Sequence, residues 1–450
     1  MPFGRGDGLR LPCAITIAGS DSGGGAGIEA DLKTFAALNV HGLCVLTAVT
    51  AQNTLGVEDV FELPSDFVLK QLDAVMKDFD AKWAKTGMLS NAEIIKAVKS
   101  GIKKYELKVV ADPVMIAATG APLLKRDAVE AMKDFLSCVE LVTPNLPEAE
   151  MLSGLKIKSM HDMRKAAKEI SKLGAYGVII KGGHMPTSEA VDLIYFDGKF
   201  IELKSPRIRV KGATHGTGCS FSAAITAELA NGKGIIEAVK SAKEFITHAI
   251  AKRLEVGKGV KPVNPMASLI IDAEKGRCLE EVWKAAQMLV SDQKFTELLP
   301  EVGSNIAVAL YGAEKVSEVV GLSGRIVKVS GKAQLTGFPT LGGSEHVANV
   351  ALTAMRYDPK IRAAMNIRFS DKIIRACRRL NLKIAEFRRE EEPKGVKTMV
   401  WGTEQAIRKM GGVPDIIFDR GAPGKEAMVR ILGRSALDVA ETALKISKML

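Results

Sequence analysis

Residues 215–219 of the chain read His-Gly-Thr-Gly-Cys and run directly into an apolar helical pattern over 220–229. Glycines before a helix leave backbone N–H groups free at its positive end, which favours an anion such as a transferring phosphate. Cys219 falls at or near the first helical turn, where we expect the pKa of a thiol to be lowered. The motif therefore suggests a phosphoryl-transfer site. The alternative is a glycine turn followed by a small buried cysteine.

Four other segments place glycines or charged residues where a predicted strand ends. They are the glycine-rich run 19–27, Asp112, the pair Asn145 and Glu148, and Lys181. The glycine-rich run has neither P-loop nor Rossmann spacing, so we interpret it as a close-approach loop for a small ligand or as a structural turn. A carboxylate at the Asp112 position suits phosphates or Mg²⁺. For Glu148, helix capping is the competing interpretation.

Composition bounds the class of protein. The chain has 450 residues, of which 47% are hydrophobic and 26% charged, as in a globular protein of two or three domains. The apolar stretches are too short to span a membrane, and the first residues lack the layout of a secretion signal. The six cysteines lie far apart with no Cys-x-x-Cys. Their spacing argues against zinc and disulfides and predicts a reducing, cytoplasmic location.

The net charge of +11 belongs mostly to the C-terminal part of the chain. Residues 1–274 carry 34 Lys and Arg against 32 Asp and Glu, whereas residues 275–450 carry 29 against 20. Nucleic acid, polyphosphate ligands or solubility each account for such an excess. Because no basic run is interleaved with aromatics, we predict no nucleic-acid partner.

Short β-branched runs alternate with helical patterns as far as about residue 265. This alternation predicts a doubly wound α/β sheet that binds ligands at the C-terminal ends of its strands. A second, smaller α/β pattern follows a Gly- and Pro-rich stretch over 257–266. The predicted strands of the first pattern are 13–18, 44–51, 82–86, 108–111, 141–144, 177–181 and 190–196.

Residues 13–266 resemble the hydroxymethylpyrimidine/phosphomethylpyrimidine kinases of thiamine biosynthesis, which belong to the ribokinase-like superfamily. The resemblance implies a ribokinase-like doubly wound sheet with helices on both faces. It also implies two successive ATP-dependent phosphorylations, first of a hydroxymethyl group and then of the monophosphate. The matching stretches are 17–21, 24–35, 47–54, 87–89, 112–115, 143–149, 181–184 and 215–219.

The same resemblance implies roles for individual residues. The carboxylate of Asp31 and the amide of Gln52 suit the donors and acceptors of an aminopyrimidine edge. Glu148 and Asp112 would hold Mg²⁺. Residues 117–120 read Ala-Ala-Thr-Gly where some family members have a lysine. The acceptor-binding residues would be Gly19, Asp31, Gln52 and Met88; those for nucleotide and phosphate Asp112, Asn145, Glu148, Lys181 and Thr217; and the catalytic ones Gly216, Gly218 and Cys219.

Cys219 stands where ribokinase-like sugar kinases carry an aspartate base. Phosphoryl transfer has a loose transition state, so positioning and charge matter more than base strength. The first acceptor is an alcohol, whereas the second is a phosphate monoester that is already ionised near neutral pH. We therefore hypothesise that Cys219 matters more for the first phosphorylation than for the second.

Residues 275–450 resemble the thiamine-phosphate synthase domain that is fused to this kinase, mainly in archaeal lineages. The resemblance implies condensation of the pyrimidine diphosphate with thiazole phosphate and release of pyrophosphate. Arg325 and His346 look like the catalytic pair, because Arg binds a diphosphate bidentately and His binds it or shuttles a proton. The alternative is a domain that only senses a thiamine-pathway ligand. The matching stretches are 299–306, 324–326, 346–348, 353–355, 362–367, 414–417 and 424–426.

Within that second module, residues 414–419 predict a strand that leads through 420–426 into a helix, another arrangement receptive to anions. The predicted organisation is an N-terminal extension over 1–12, the kinase over 13–266, a linker over 267–274 and the synthase domain over 275–450. We expect a homo-oligomer, with a dimer favoured, that uses ATP and Mg²⁺ and small-molecule substrates and binds no membrane.

Overall fold

A computed structural model describes residues 10–116, 123–125, 128–183, 189–208, 214–393 and 395–450. The chain divides into two compact units, Met1–Leu269 and Ile270–Leu450. Residues 117–120 and His184, which the sequence interpretation used, lie outside the described residues.

The first unit is built on an eight-stranded sheet with the order β10-β9-β8-β7-β6-β5-β1-β2. Two small sheets accompany it, one of β3 and β4 and the other of β11 and β12. The strands are β1 (Cys13–Ala18), β2 (His41–Leu46), β3 (Ala48–Gln52), β4 (Val57–Glu62), β5 (Ala81–Thr86), β6 (Lys108–Ala111), β7 (Leu141–Val142), β8 (Gly177–Ile180), β9 (Glu189–Phe196), β10 (Lys199–Pro206), β11 (Thr214–His215) and β12 (Lys261–Pro262).

Helices cover both faces of this sheet, so the predicted doubly wound architecture is confirmed. Successive residues of one strand point into different cores: on β6, Val109 packs with one layer of helices and Val110 with the other. The helices are α1 (Gly27–Ala37), α2 (Ser65–Met76), α3 (Ala92–Lys104), α4 (Val129–Phe135), α5 (Leu146–Ser153), α6 (Met160–Ser171), α7 (Thr217–Ala230) and α8 (Ile235–Ala251).

The order of the strands fixes where a ligand can bind. Strand β1 is parallel both to β2 on one side and to β5 on the other, so the chain first builds one half of the sheet and then the other. At such a reversal the loops leave in opposite directions and open a crevice at the carboxyl ends of the strands. The segments after β1, β5 and β6 therefore meet at one place.

One predicted strand, 44–51, is in fact two strands. The chain leaves the large sheet at Thr47, whose N–H donates to the Ala18 carbonyl and whose carbonyl accepts from the N–H of Leu63. Residues from Ala48 onward then pair with β4 in the small antiparallel sheet. Both pieces have strand-forming composition, so nothing in the hydrophobic pattern marks the change of sheet.

The second unit contains a seven-stranded sheet with the order β17-β14-β13-β18-β21-β20-β19. Its neighbouring strands are antiparallel except for β19 and β20. A further hairpin pairs β15 with β16. The strands are β13 (Ile306–Ala309), β14 (Val319–Leu322), β15 (Ile326–Val329), β16 (Lys332–Leu335), β17 (Pro339–Leu341), β18 (Ala363–Arg368), β19 (Ile384–Glu386), β20 (Ile416–Asp419) and β21 (Met428–Gly433).

Helix α9 (Ala267–Ser291) begins where the predicted linker over 267–274 begins, and the division between the two units falls within that segment. Pro265 is the last proline before this helix, and helix-forming residues follow it. The predicted helix after residue 426 is wrong, because β21 takes its place and is buried in the sheet. The remaining helices are α10 (Glu345–Tyr357), α11 (Asp371–Arg379), α12 (Thr398–Met410) and α13 (Ala436–Lys448).

Candidate active site

A cavity of about 900 Å³ opens at the crevice of the first unit. All the residues that the sequence predicts for a kinase site line it except Asp31. The residues so placed are Gly19, Gln52, Met88, Asp112, Asn145, Glu148, Lys181, Gly216, Thr217, Gly218 and Cys219.

The first turn of α7 forms one wall of the cavity. Gly216 is the residue before the helix and has a φ of +80°, which favours glycine. A Cβ on Gly216 would lie only 1.8 Å from the carbonyl oxygen of Gly25, so the glycine-rich loop and α7 touch here. The helix begins at Thr217 with no side-chain cap, which leaves its first N–H groups available to an anion.

Cys219 is the third residue of α7, and its thiol is not activated as predicted. Burial raises the pKa of the Cys219 thiol to about 11, and the nearby ammonium of Lys85 only partly offsets this effect. The carboxylates of Asp31 and Asp112 add to the rise. The expectation of a lowered pKa is therefore wrong, because burial outweighs the helix terminus. The resting site holds a neutral thiol.

Asp31 lies behind the cavity wall. Its side chain is completely buried, and its Oδ2 accepts hydrogen bonds from Lys85 Nζ at 2.7 Å and from Thr16 Oγ1 at 2.6 Å. The structure therefore does not place Asp31 where it would read a pyrimidine edge. Its position instead makes it the counter-ion of a lysine that does line the cavity.

Lys85 is a site residue that the sequence interpretation missed. It lies on β5, it is fully buried, and a Cβ on the neighbouring Gly87 would come within 2.7 Å of its Nζ. Burial disfavours its charge, but the carboxylate of Asp31 raises the pKa of Lys85 and keeps it an ammonium. The strand sequence Ala-Lys-Trp-Ala-Lys-Thr contained the signal. Lys82 and Lys85 lie three residues apart and so point to opposite faces of the strand, and Lys85 is the one nearer its carboxyl end, where the crevice opens.

A second lysine stands opposite the start of α7. Lys181 Nζ donates to Asp112 Oδ1 at 2.8 Å, and a Cβ on Gly218 would lie 3.2 Å from both groups. Burial acts against its charge, but Asp112 and Glu148 raise the pKa of Lys181. An ammonium group thus lies beside the first turn of α7 in the wall of the cavity.

Glu148 caps a helix and also lies in the cavity wall. Its N–H donates to Asn145 Oδ1 at 2.9 Å, and its carboxylate accepts from the Asn145 N–H at 2.8 Å, a complete capping box at the start of α5. The same carboxylate lines the cavity. Burial raises the pKa of Glu148 to about 7; Lys181 opposes the rise and Asp112 adds to it.

The glycine-rich loop is organised by Asp21, a second residue that sequence reasoning missed. The Asp21 carboxylate accepts from the N–H groups of Gly23, Gly25 and Ala26 at 2.8–3.0 Å. His215 Nε2 lies 2.8 Å from Asp21 Oδ2. Burial opposes ionisation, but the His215 contact and these N–H groups lower the pKa of Asp21. The loop lines the cavity, yet several of its N–H groups already donate within the protein.

In the second unit, residues from several of the stretches that carry the resemblance to the synthase domain contact the loop over 299–305. Arg325 Nη1 donates to the Val302 carbonyl, and the carboxylate of Glu426 accepts from the N–H groups of Glu301 and Val302. The side-chain amide of Asn366 donates to the Gly303 carbonyl at 3.1 Å and accepts from the N–H of Asn305 at 2.7 Å. Three separated segments thus hold one loop.

Arg325 and His346 are both exposed. Arg325 follows β14, and His346 is the second residue of α10, which follows β17; these two strands pair at one edge of the sheet. No hydrogen bond or ion pair joins the two side chains in the part of the chain that the structure describes. Their joint role stays a prediction.

The fold and the cavity define the first unit as a ribokinase-like small-molecule kinase. The family model for phosphomethylpyrimidine kinase matches residues 21–264, and the model for thiamine-phosphate synthase ThiN matches residues 281–445. The chain belongs to the phosphomethylpyrimidine kinase family, in the bifunctional form that also carries a thiamine-phosphate synthase domain. The predicted function in thiamine biosynthesis is confirmed.

The similar proteins include relatives of the whole chain and relatives of its first unit. The bifunctional thiamine biosynthesis protein ThiDN of Methanocaldococcus jannaschii is 35% identical over 97% of this chain and 98% of its own. The hydroxymethylpyrimidine/phosphomethylpyrimidine kinase of Haemophilus influenzae is 49% identical over 56% of this chain and 96% of its own. Among solved structures, an ADP complex of Bacillus subtilis pyridoxal kinase has a TM-score of 0.54 at 40% identity, covering 58% of this chain and 100% of that one.

Two further observations bear on ligands. Among the described residues, no helix has the length and apolar character needed to cross a membrane. Within the same residues, no group of three or more His, Cys, Asp or Glu side chains is arranged to hold a metal ion.

Proposed function

We propose that the first unit transfers the γ-phosphoryl group of ATP twice, first to the hydroxymethyl group of an aminopyrimidine and then to the resulting monophosphate. The observation that carries the proposal is that residues which the resemblance assigns to the acceptor and residues which it assigns to phosphate line one cavity. We call the part lined by Gly19, Gln52 and Met88 the acceptor pocket, and the part beside Lys181 and the start of α7 the phosphoryl pocket.

In each transfer a bond forms between the acceptor oxygen and the γ-phosphorus while the bond to the β-phosphate oxygen breaks. Charge spreads over the equatorial oxygens of the transferring group. The N–H groups at the start of α7 and the ammonium of Lys181 are placed to stabilise that charge without reorganising. The neutral thiol of Cys219 lies at the same helix turn and is able to donate a weak hydrogen bond.

The residues present fit a Mg²⁺ ion that is bound mainly through phosphates. Such an ion keeps several waters and takes one or two protein carboxylates, so it does not need a cluster of three side chains. Asp112 and Glu148 both line the cavity and would hold it. The ion would neutralise charge on the phosphates.

For the second unit we propose condensation of the pyrimidine diphosphate with thiazole phosphate, with release of pyrophosphate. Arg325 is exposed and its guanidinium lies against the 299–305 loop, where it would bind the leaving diphosphate. His346 at the start of α10 would contact the same group or move a proton. The basic excess of this half suits two anionic substrates.

One assay tests both halves. Purified full-length protein receives the pyrimidine alcohol, ATP, Mg²⁺ and thiazole phosphate, and thiamine phosphate is measured. We expect Arg325→Ala to abolish thiamine phosphate while the pyrimidine diphosphate still forms, and Arg378→Ala, an exposed control on α11, to change neither. If the unaltered protein accumulates the diphosphate and never makes thiamine phosphate, the second unit is a ligand sensor instead.

Pyridoxal is a second candidate acceptor. A Staphylococcus aureus pyridoxal kinase solved with AMP-PCP and pyridoxal is 40% identical to this chain, with a TM-score of 0.53. The ratio of kcat/KM for the two acceptors decides between them. We expect the pyrimidine alcohol to be preferred.

A further inference from the structure

His215 connects three parts of the kinase site. It lies on β11, directly before the turn that starts α7, and it is almost fully buried. Its Nε2 is 2.8 Å from Asp21 Oδ2 in the glycine-rich loop and 3.1 Å from Gln52 Nε2 at the end of β3. Gln52 in turn lines the acceptor pocket.

The contact with Asp21 decides which ring nitrogen carries the proton. The Asp21 carboxylate already accepts three backbone N–H groups, and these bonds keep it ionised and able only to accept. His215 Nε2 must therefore carry a hydrogen, in the neutral and in the charged ring alike. A bare Nε2 at 2.8 Å from a carboxylate oxygen would place two lone pairs against each other.

The other ring nitrogen supports the same tautomer. Nδ1 of His215 is buried and has no hydrogen-bond partner among the described residues. A protonated Nδ1 would leave a donor buried without an acceptor, which costs free energy. The proton at Nε2 satisfies the ring better than the proton at Nδ1 does.

The tautomer then decides the orientation of the Gln52 amide. An Nε2–H group and an amide NH₂ group both donate, so they cannot bond to each other. The amide avoids two facing donors only when its Oε1 faces the ring, where Oε1 shares the Nε2–H hydrogen with Asp21 Oδ2. Oε1 and Nε2 exchange places by a half-turn of the amide. In that orientation the NH₂ group is the one directed away from His215.

We propose that His215 is a positioning residue that holds the Gln52 amide with its NH₂ group toward the acceptor pocket. The kinase thus reads its acceptor through a lone pair, such as that of a ring nitrogen, in addition to any amino group. The inference rests on the proposed kinase function for the identity of the acceptor. The orientation itself rests only on the contacts of His215.

The tautomer is measured directly by long-range ¹H–¹⁵N correlation NMR on full-length protein labelled in histidine. His215→Phe identifies the signals. We expect the His215 ring to carry its proton at Nε2 in the protein without substrates, a result that does not depend on catalysis. A proton found only at Nδ1 overturns the proposal even if the kinase is fully active.

Kinetics test the consequence for recognition, with the pyrimidine alcohol compared with deaza analogues that replace one ring nitrogen by C–H. We expect one analogue to lose about tenfold in kcat/KM with the unaltered protein, as for one lost hydrogen bond to a group that is then left unpaired. With His215→Phe the same penalty shrinks to about twofold, because the amide is free to turn. His248→Phe, which removes the contact to Ser268 Oγ, is the matched control and keeps the full penalty.

Gln52→Glu supplies a variant that does not disturb His215. A carboxylate accepts from Nε2–H as well as the amide oxygen does, but it offers no donor to the acceptor. We expect this variant to lose the discrimination between the pyrimidine and its analogue while folding normally. Equal penalties in the unaltered protein, His215→Phe and Gln52→Glu overturn the proposal. If no pyrimidine alcohol is phosphorylated at all, the proposed function fails, whereas the NMR result still stands.

Discussion

At the scale of single residues, the ionisation of Cys219 constrains the chemistry. Burial raises the pKa of its thiol to about 11, so near neutral pH only a very small fraction is thiolate. A thiol in that state donates a hydrogen bond or packs, and it is a poor proton acceptor. The proton of an alcohol acceptor then leaves toward the transferring phosphoryl group or solvent.

Alkylation measures that ionisation. We expect iodoacetamide to label Cys219 slowly at pH 7 and about tenfold faster for each pH unit up to pH 10, since only the thiolate reacts. Labelling is read by peptide mass spectrometry, with exposed Cys44 as the internal comparison. Rapid labelling that is independent of pH above 7 contradicts the neutral thiol.

The hypothesis that Cys219 matters more in the first phosphorylation has its own test. We expect Cys219→Ala to slow transfer to the alcohol more than transfer to the monophosphate, and Cys219→Ser, which keeps a donor, to retain more of both rates. Rates are measured on each acceptor separately. Equal losses in the two steps exclude a base role for Cys219 and leave it an anion-hole or packing role.

The raised pKa of Glu148 predicts a pH dependence of the kinase. Because the pKa of Glu148 is about 7, its carboxylate is protonated in an increasing fraction of molecules as the pH falls below 7. We expect kcat/KM at limiting Mg²⁺ to fall on that acid side, since a protonated carboxyl does not bind the ion. The same limb of the profile is absent in Glu148→Gln, which starts from a lower rate.

The raised pKa of Glu148 also makes the stability of the protein depend on pH. Folding raises the pKa of Glu148 from 4.5 to about 7, so the native state binds the proton more tightly than the unfolded state. Stability from this group is complete below pH 4.5 and is lost as the pH rises to about 7. We expect Glu148→Gln to unfold at a higher temperature than the unaltered protein at pH 8, with no difference at pH 4. A lower unfolding temperature at pH 8 contradicts the burial argument.

At the scale of elements, the contact between the glycine-rich loop and α7 is tested by two glycines. Gly216 and Gly232 both have positive φ, so alanine strains the backbone by a similar amount at each. Only Gly216→Ala also drives a Cβ into the Gly25 carbonyl, because nothing lies within 4 Å at Gly232. We expect Gly216→Ala to lose the kinase activity and Gly232→Ala to keep it.

The ion pair between Asp31 and Lys85 ties α1 to β5. Both side chains are completely buried, and removing one partner of such a pair costs about 3–5 kcal/mol because the other charge is left unpaired. We expect Lys85→Met to destabilise the first unit by that order, and the double variant Asp31→Asn with Lys85→Met to be less affected. Hydrogen exchange of β1 and β5 in urea measures both. A double variant as unstable as Lys85→Met contradicts this account.

The sequence correctly predicted elements whose hydrophobic residues follow one clear periodicity. Prediction failed where contacts between distant residues determine the structure. Strand β1 has its predicted bounds, and the kinase-site residues that the family resemblance implied line one cavity, Asp31 excepted. The pairing of Asp31 with Lys85 was out of reach, because it joins residues 54 positions apart through burial. The pKa of Cys219 was predicted in the wrong direction for the same reason. A helix terminus is visible in a sequence, whereas the depth of the thiol is not.

At the scale of the whole molecule, the uneven charge predicts uneven sensitivity to salt. The first 274 residues are nearly neutral and the remainder carries the basic excess. Salt at about 0.3 M screens attraction beyond a few ångströms. We expect the KM for thiazole phosphate to rise more between 0.05 and about 0.3 M NaCl than the KM for the uncharged pyrimidine alcohol. Steady-state assays on full-length protein decide it, and equal increases contradict it.

Both units belong to one polypeptide chain, and the division between them falls within helix α9. Synthesis of the protein therefore always delivers the two catalytic centres in equal number. A cell cannot adjust the flow through them by making more of one than of the other. The ratio of the two turnover rates then sets whether the pyrimidine diphosphate builds up, and a change in either rate changes that pool.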